Sequence, residues 1–329
     1  MTVLLVVLAV AFAYSMGAHY TGACMGMPHA LGAVSATRAL LVMAPLTLLG
    51  AALASHKVEV TVGHNLLVGE GLSVTGLVVV IAVAFGLTSL FNVLRIPTST
   101  IQILVFTVVG AGLAAGTGIH WAAIAALAVI WVCAPPAAAL LGFALTRVLD
   151  LVPSLRAHTA AAAARTAVGP LAAGLVAVGA LASFAMGGND VANATGSLVG
   201  TGTFGPAVAG LVGGLGLAAG VLTWGRPLLT KVAFDLVTVD RPMATAAQLV
   251  QAAVVLAAVA FGFFTSMNQA LIGAMTGAGA ARGRHTVHAA ALWGVLRGWV
   301  VGPGAGIALG YACSWLVAAA AGAHVLLAG

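Results

Sequence analysis

Ten apolar runs, near 2–30, 37–55, 72–94, 97–118, 120–147, 164–196, 205–225, 244–264, 266–281 and 286–325, divide this chain. A helix needs about 20 apolar residues to cross a bilayer, so the runs predict ten crossings. Some are too short or too long for one plain helix. Broken or re-entrant pieces are therefore expected near 16–35, 97–103, 186–204 and 264–270. One long polar insert, Ser55–Gly71, interrupts the pattern and suggests no function. A middle loop, about Arg147–Arg165, joins two halves.

Composition turns this pattern into a class. The 329 residues are 62% hydrophobic and 5% charged, where a soluble domain carries about a quarter charged residues. The fold class is an all-α polytopic membrane protein with hardly any polar surface. The formal charge is +6, from 12 Lys and Arg against 6 Asp and Glu. These basic residues are spread singly over short loops, which suits topology determinants and not a nucleic-acid surface. Residues 1–15 have no Lys or Arg before their apolar part and read as a retained first span rather than a cleaved leader. Cys24, Cys133 and Cys313 lack metal or disulfide spacing and read as small apolar packing residues.

The two halves, 1–150 and 151–329, repeat. At an offset of 170, Met16-Gly17-Ala18-His19-Tyr20 falls on Met186-Gly187-Gly188-Asn189-Asp190, and Gly26, Gly32 and Gly50 fall on Gly196, Gly202 and Gly220. At 167, Thr98-Ser99-Thr100-Ile101-Gln102 falls on Thr265-Ser266-Met267-Asn268-Gln269, and Gly110, Gly112 and Gly116 on Gly277, Gly279 and Gly283. At 168, Trp131 and Pro135 fall on Trp299 and Pro303. Five crossings per half is odd, so the second half is expected to be inverted. With both termini outside, Arg38, Arg95, Arg147, Arg156, Arg165, Arg226, Lys231, Arg241, Arg282 and Arg284 fall in inner loops and only Lys57 in an outer one. That bias matches the positive-inside rule. Inverted repeats with helices broken at the midplane are an architecture of secondary transporters.

Asp190 is the only carboxylate within the long apolar runs. An intramembrane acid is expensive and marks function by default. Around it, Gly187, Gly188 and Gly196 are expected to break the helix, and broken backbone at membrane depth survives where it lines a cavity. Asn189 and Asn193 share a helical face. With Asp190 and the backbone at Gly188 they suit a cation such as Na⁺, while a lone titrating Asp190 would suit H⁺. Helix packing through small residues explains the glycines but not the acid.

The two Thr-Ser segments are the second constellation. Hydroxyls and free N–H groups at a helix N-terminus attract anions, although a Ser or Thr there is ordinarily just a cap. Two copies in equivalent positions should converge on one point. Thr98, Ser99, Thr100, Gln102, Thr265, Ser266, Asn268 and Gln269 are thus expected to hold an anion. His19, Thr21 and Thr195 are secondary candidates, His19 as a hydrogen-bond donor or proton carrier set against a plain internal polar group. Arg297 is expected to snorkel to the interface. The remaining histidines show no zinc spacing.

These residues resemble the inorganic phosphate transporter family often called PiT. Gly187-Gly188-Asn189-Asp190-Val191-Ala192-Asn193-Ala194 is similar to its Gly-Ala-Asn-Asp-Val-Ala-Asn signature. Ile96-Pro97-Thr98-Ser99-Thr100 looks like its downstream Pro-x-Ser-Thr-Thr-His segment, and Phe264-Thr265-Ser266-Met267-Asn268 like an eroded copy. The resemblance implies a symporter that imports phosphate with Na⁺ or H⁺, the anion on the downstream segments and cations on the Asn-Asp signatures. It implies no cofactor beyond the coupling ion. Where the family has the first Asn-Asp, this chain has His19-Tyr20. A sulfate-permease branch also has a degenerate first signature, so sulfate is the alternative substrate. The expected partners are the anion, the bilayer of the cell membrane and a second copy of the chain in a homodimer. An integral-membrane enzyme would need a second reactive group near Asp190, and only His19 offers one. An anion channel is the other distant reading.

Overall fold

A computed structural model describes residues 1–69, 71–152, 169–229, 239–283 and 289–327, and among them every named element is a helix. Helix α1 (Thr2–His19) continues through a π-helical turn, Gly22–Gly26, into α2 (Met27–Ala30). Then come α3 (Ala36–Ala54), α4 (His56–His64), α5 (Val74–Leu94), α6 (Thr100–Ala115) and α7 (Trp121–Leu149). The second half holds α8 (Pro170–Gly200), α9 (Pro206–Trp224), α10 (Arg226–Leu229), α11 (Arg241–Ala260), α12 (Met267–Arg282) and α13 (Ala289–Leu327). The outer faces are apolar, with Val3, Leu140 and Phe261 each more than 70% exposed. A bundle that buries its polar groups and presents hydrocarbon outward is built for lipid.

Among the described residues eight helices are long and apolar enough to span a membrane, not the ten that the apolar runs predict. Helices α6 and α12 have 16 residues each, about 24 Å at 1.5 Å per residue against a core of about 30 Å. Each closes a hairpin with the helix before it. Helix α5 runs parallel to α1, with Ser15 and Ser89 hydroxyls 3.0 Å apart and His19 Nδ1 2.6 Å from Asn92 Oδ1. It ends at Leu94, beside His19, while the first span still has a third of its length to run. Arg95, with φ of 55°, turns the chain in the left-handed region. Helix α6 then returns to where α5 began: Val68 N–H donates to Gly118 O at 2.8 Å, and Leu67 bridges Ile119. Arg95 thus sits at a hairpin tip and not in an inner loop. Gly262, φ 76°, turns the second hairpin. Its two open ends are joined by Arg282 Nη2, 3.2 Å from Asp240 Oδ2 and 2.7 Å from Asp150 Oδ1 at the end of α7.

Helix packing is set by glycine, and the contacts come in matched pairs. A Cβ on Gly17 of α1 would lie 2.0 Å from Leu217 O of α9, and one on Gly187 of α8 would lie 2.0 Å from Thr47 O of α3. Gly17 sits 170 residues before Gly187, and Thr47 sits 170 residues before Leu217. Gly220 against Tyr14 O (1.8 Å) and Gly50 against Phe184 O (1.9 Å) show the same offset. Backbones this close exclude any side chain, as small-residue interfaces in membranes require.

The glycines therefore do not break α8, which runs unbroken through Gly187, Gly188 and Gly196. They seat it against α3 and α4. The irregular turn lies in the first half instead, at Gly22–Gly26. The Ser55–Gly71 insert is not all loop, since α4 continues the path of α3 along α8, with Gly196 and Gly200 against Val62 and Gly63. Of the cysteines only Cys24 is buried; Cys133 is exposed and Cys313 intermediate. Arg297 is exposed on α13. Arg156, Arg165, Lys231 and Arg284 lie outside the described residues.

Candidate functional site

The two hairpin tips meet in the middle of the bundle. Gln102 and Gln269, each in the first turn of its short helix, exchange amide hydrogen bonds of 3.4 and 3.3 Å. Ser99 caps α6 by accepting from Gln102 N–H at 3.3 Å, and Ser266 caps α12 by accepting from Gln269 N–H at 3.3 Å. So the serines do the ordinary capping work. The threonines before them do not: Thr98 and Thr265 are buried and their hydroxyls have no hydrogen-bond partner. Two unpartnered hydroxyls, 167 residues apart in sequence, stand beside two helix N-termini whose dipoles favour negative charge.

Helices α1 and α8 hold these tips from either side. Asn189 grips the second tip as a strand partner would, Nδ2 donating to Thr265 O at 2.8 Å and Oδ1 accepting from Thr265 N–H at 3.1 Å. On the first tip His19 takes the same place in sequence, with Nε2 3.1 Å from Thr98 O. Asn268 crosses between tips to donate to Thr98 O at 2.7 Å. Asn92, which holds the other His19 nitrogen, is anchored on Ser15 O at 2.8 Å. Its place on α5 gives no signal in sequence, because one Asn near a helix end reads as a cap.

Asp190 is fully buried between the tips. Its Oδ2 accepts from Asn189 Nδ2 at 3.1 Å and its Oδ1 from Asn193 Nδ2 at 3.5 Å. Tyr20, its counterpart at the offset of 170, faces the same carboxyl and has its hydroxyl 2.8 Å from Thr100 Oγ1. Asn193 Nδ2 reaches Thr100 Oγ1 at 3.4 Å, leaving Asn193 Oδ1 unpartnered. No lysine, arginine or histidine makes an ion pair with Asp190 among the described residues. A cluster of one acid and several amide and hydroxyl oxygens is a hard, oxygen-rich donor set of the kind alkali cations take.

Three sequence candidates lie elsewhere. Thr21 donates to Gly225 O at 2.8 Å, tying α1 to the end of α9. Gly188 packs on Ala54. Thr195 faces away from the tips and contacts Glu59 of α4 at 2.9 Å. That buried glutamate is the acid a reading by apolar runs misses, because it belongs to the polar insert.

A cavity of about 520 Å³ leads toward the site from one end of the bundle. It is walled by Val62 and His64 of α4, Ser73 and Val74 at the start of α5, and Ser197 and Thr201 at the end of α8, with Asn193 at its inner limit. At the opposite end of the bundle the corresponding place, at the offset of the repeat, is between α2 and the start of α11. There the Arg241 guanidinium donates to Leu31 O through Nε at 3.3 Å and Nη2 at 3.0 Å.

Comparison with known proteins places this architecture. A solved structure titled "The sodium-dependent phosphate transporter" superimposes with a TM-score of 0.86 over 96% of this chain and 99% of that one, at 21% identity. The chain is 31% identical over 147 residues to inorganic phosphate transporter 2-1, chloroplastic, of Arabidopsis thaliana, a match covering 41% of this chain and 25% of that relative. It is 27% identical over 305 residues to the sulfate permease CysP of Bacillus subtilis, covering 91% and 83%. The sequence model of the phosphate transporter family matches residues 16–310, and the chain therefore belongs to that family.

Proposed function

We propose that the chain is a secondary transporter that carries inorganic phosphate across the cell membrane together with a cation. The observation that supports this most directly is the meeting of two capped hairpin tips, each with an unpartnered buried threonine hydroxyl. In this reading the anion lies between Thr98 and Thr265. It takes hydrogen bonds from those hydroxyls, from Thr100 and Asn268, and from the free N–H groups of α6 and α12. Gln102 and Gln269 fix the distance between the tips. The cation, Na⁺ or H⁺, sits at Asp190 with Asn189 and Asn193, where it offsets the acid and the incoming anion. The halves act as inverted repeats, and the matched glycine contacts support this. Access alternates by closing the cavity between α5 and α8 and opening the gap at Leu31 and Arg241. With N- and C-termini outside, the cavity faces the exterior.

Sulfate is the second reading, favoured by the near full-length similarity to a sulfate permease and by Tyr20 where a second acid would stand. Phosphate near neutral pH carries a proton that a carboxylate can accept, whereas sulfate carries none. Purified protein in liposomes, with labelled phosphate competed by sulfate and the reverse, under Na⁺ and H⁺ gradients, decides between them. Phosphate uptake that cold sulfate does not compete supports the first reading. Uptake of neither anion under either gradient refutes both.

A further inference from the structure

Glu59 is a buried acid that the anion and cation sites leave unused. It is fully shielded from solvent, in the middle of α4. Its Oε1 lies 2.9 Å from the Thr195 hydroxyl, and its Oε2 has no partner. The Thr195 hydroxyl is equally close, 2.9 Å, to Val191 O one turn back on α8. It has one proton to give and two acceptors in reach. Ser55 also faces the carboxyl, and its own proton is donated to Ala51 O at 2.6 Å.

An ionised Glu59 would need that single Thr195 proton and would still leave one charged oxygen bare, and a buried charge so poorly compensated is strongly disfavoured. No cation faces it. Helices α3 and α9 present no charged residue on this side, since Arg38 is at the far end of α3 and α9 has none. From α8 the one ionisable residue is Asp190, another acid. Arg241 is at the far end of α11. On α4 itself, His56 and His64 are exposed, and Lys57 donates to Ala260 O at 2.8 Å. A protonated Glu59 leaves no charge bare: its O–H donates to Thr195, Thr195 donates to Val191 O, and only the neutral carbonyl oxygen goes unpartnered. The counterpart of Glu59 at the offset of 170 is Leu229, so this site has no twin. Val62, Gly63 and His64, one turn further along α4, line the open cavity.

We propose that Glu59 is a proton site, separate from Asp190, that is loaded in the conformation with this cavity open and unloaded as α4 shifts on α8 during the transport cycle. The proposal deepens the transporter reading and rests on it for the second clause only. Infrared difference spectra of the purified full chain, titrated with pH, test the first. A carboxylic-acid carbonyl band present near neutral pH should be lost in Glu59→Gln, persist in Asp190→Asn, and shift in Thr195→Val. Liposome assays test the second. Glu59→Gln mimics the protonated acid, so it should keep anion exchange at equal pH but lose the acceleration that an inward proton gradient gives the native chain. A spectrum unchanged by Glu59→Gln overturns the proton site. A lost band with a native gradient response makes the proton a fixed structural one and overturns the exchange. If no protein exchanges any anion, the transporter reading fails, while the spectra still decide whether Glu59 holds a proton.

Discussion

Replacing Asn189 with alanine tests the tip geometry most sharply. The side chain makes two hydrogen bonds to the Thr265 backbone, at 2.8 and 3.1 Å, and one to Asp190 at 3.1 Å. Hydrogen bonds between membrane helices average about 0.6 kcal/mol by double-mutant cycles. Stranding a buried donor or acceptor costs about 1–3 kcal/mol. Truncation strands both Thr265 N–H and Thr265 O, so a rigid tip would lose about 2–6 kcal/mol. The tip avoids the upper part of that cost by leaving its place. The anion then binds only the fraction of molecules in which the tip is seated, and its apparent affinity falls by that fraction. A 2 kcal/mol penalty corresponds to about 30-fold, at 1.4 kcal/mol per tenfold. The assay is phosphate binding to the purified variant by calorimetry, with melting recorded with and without phosphate. We expect affinity reduced by about tenfold or more and a protein that remains folded. An affinity within about twofold of native would mean that Thr265 is not held by Asn189 for anion binding, and the convergent-tip argument would be wrong.

Asp190→Asn should abolish cation-dependent uptake while leaving a folded protein, and uptake with unchanged cation dependence would remove Asp190 from the coupling role. Gly220→Ala would put a methyl within 1.8 Å of Tyr14 O and should lower stability by about 1–3 kcal/mol or more. Gly174→Ala, where nothing lies within 4 Å, should be neutral or gain up to about 1 kcal/mol from helix propensity; equal melting shifts for the two would contradict the packing role of glycine. Arg241→Ala removes two charge-assisted hydrogen bonds to Leu31 O, each worth about 1.5–3 kcal/mol. A cysteine placed at Leu31 should then react faster with a thiol reagent added from the α2 side, and an unchanged rate would deny that this contact holds the gap shut.

Much of this was legible in sequence because membranes simplify the code. Asp190 and its amides stood out against hydrocarbon, and the Thr-Ser segments were recognisable as a pair. What sequence could not show was how far a run of apolar residues travels. Helices α5 and α6 read as two crossings because each is apolar, yet α5 stops at Leu94, level with His19, and Arg95 folds the chain back. The glycines of α8 misled in the other direction. Glycine signals either a break or a close approach, and only the Thr47 carbonyl and the Val62 side chain, contributed by distant stretches, decide for approach. Glu59 was hidden by its neighbours: Lys57, His56 and His64 make the segment look solvated, and burial of one face of a nine-residue helix depends on where α8 lies.

The asymmetry between Tyr20 and Asp190 carries the argument about coupling furthest. They occupy matching positions and face each other across the midline of the site. Two carboxylates there would repel one another and the anion, and with no lysine or arginine paired to Asp190 among the described residues, bound cations would have to offset them. A phenol keeps its own proton and adds no charge. With Tyr20 in place, the site carries one formal negative charge before the anion arrives instead of two, and needs one cation fewer to reach the same balance. The Tyr20 hydroxyl also holds Thr100, so the first half retains a positioned tip without retaining an acid. On the proposed mechanism, the second half therefore binds the coupling ion at the tips and the first half serves only to shape the anion site. Glu59, the other fully buried acid among the described residues, lies outside that balance because its geometry is that of a neutral group.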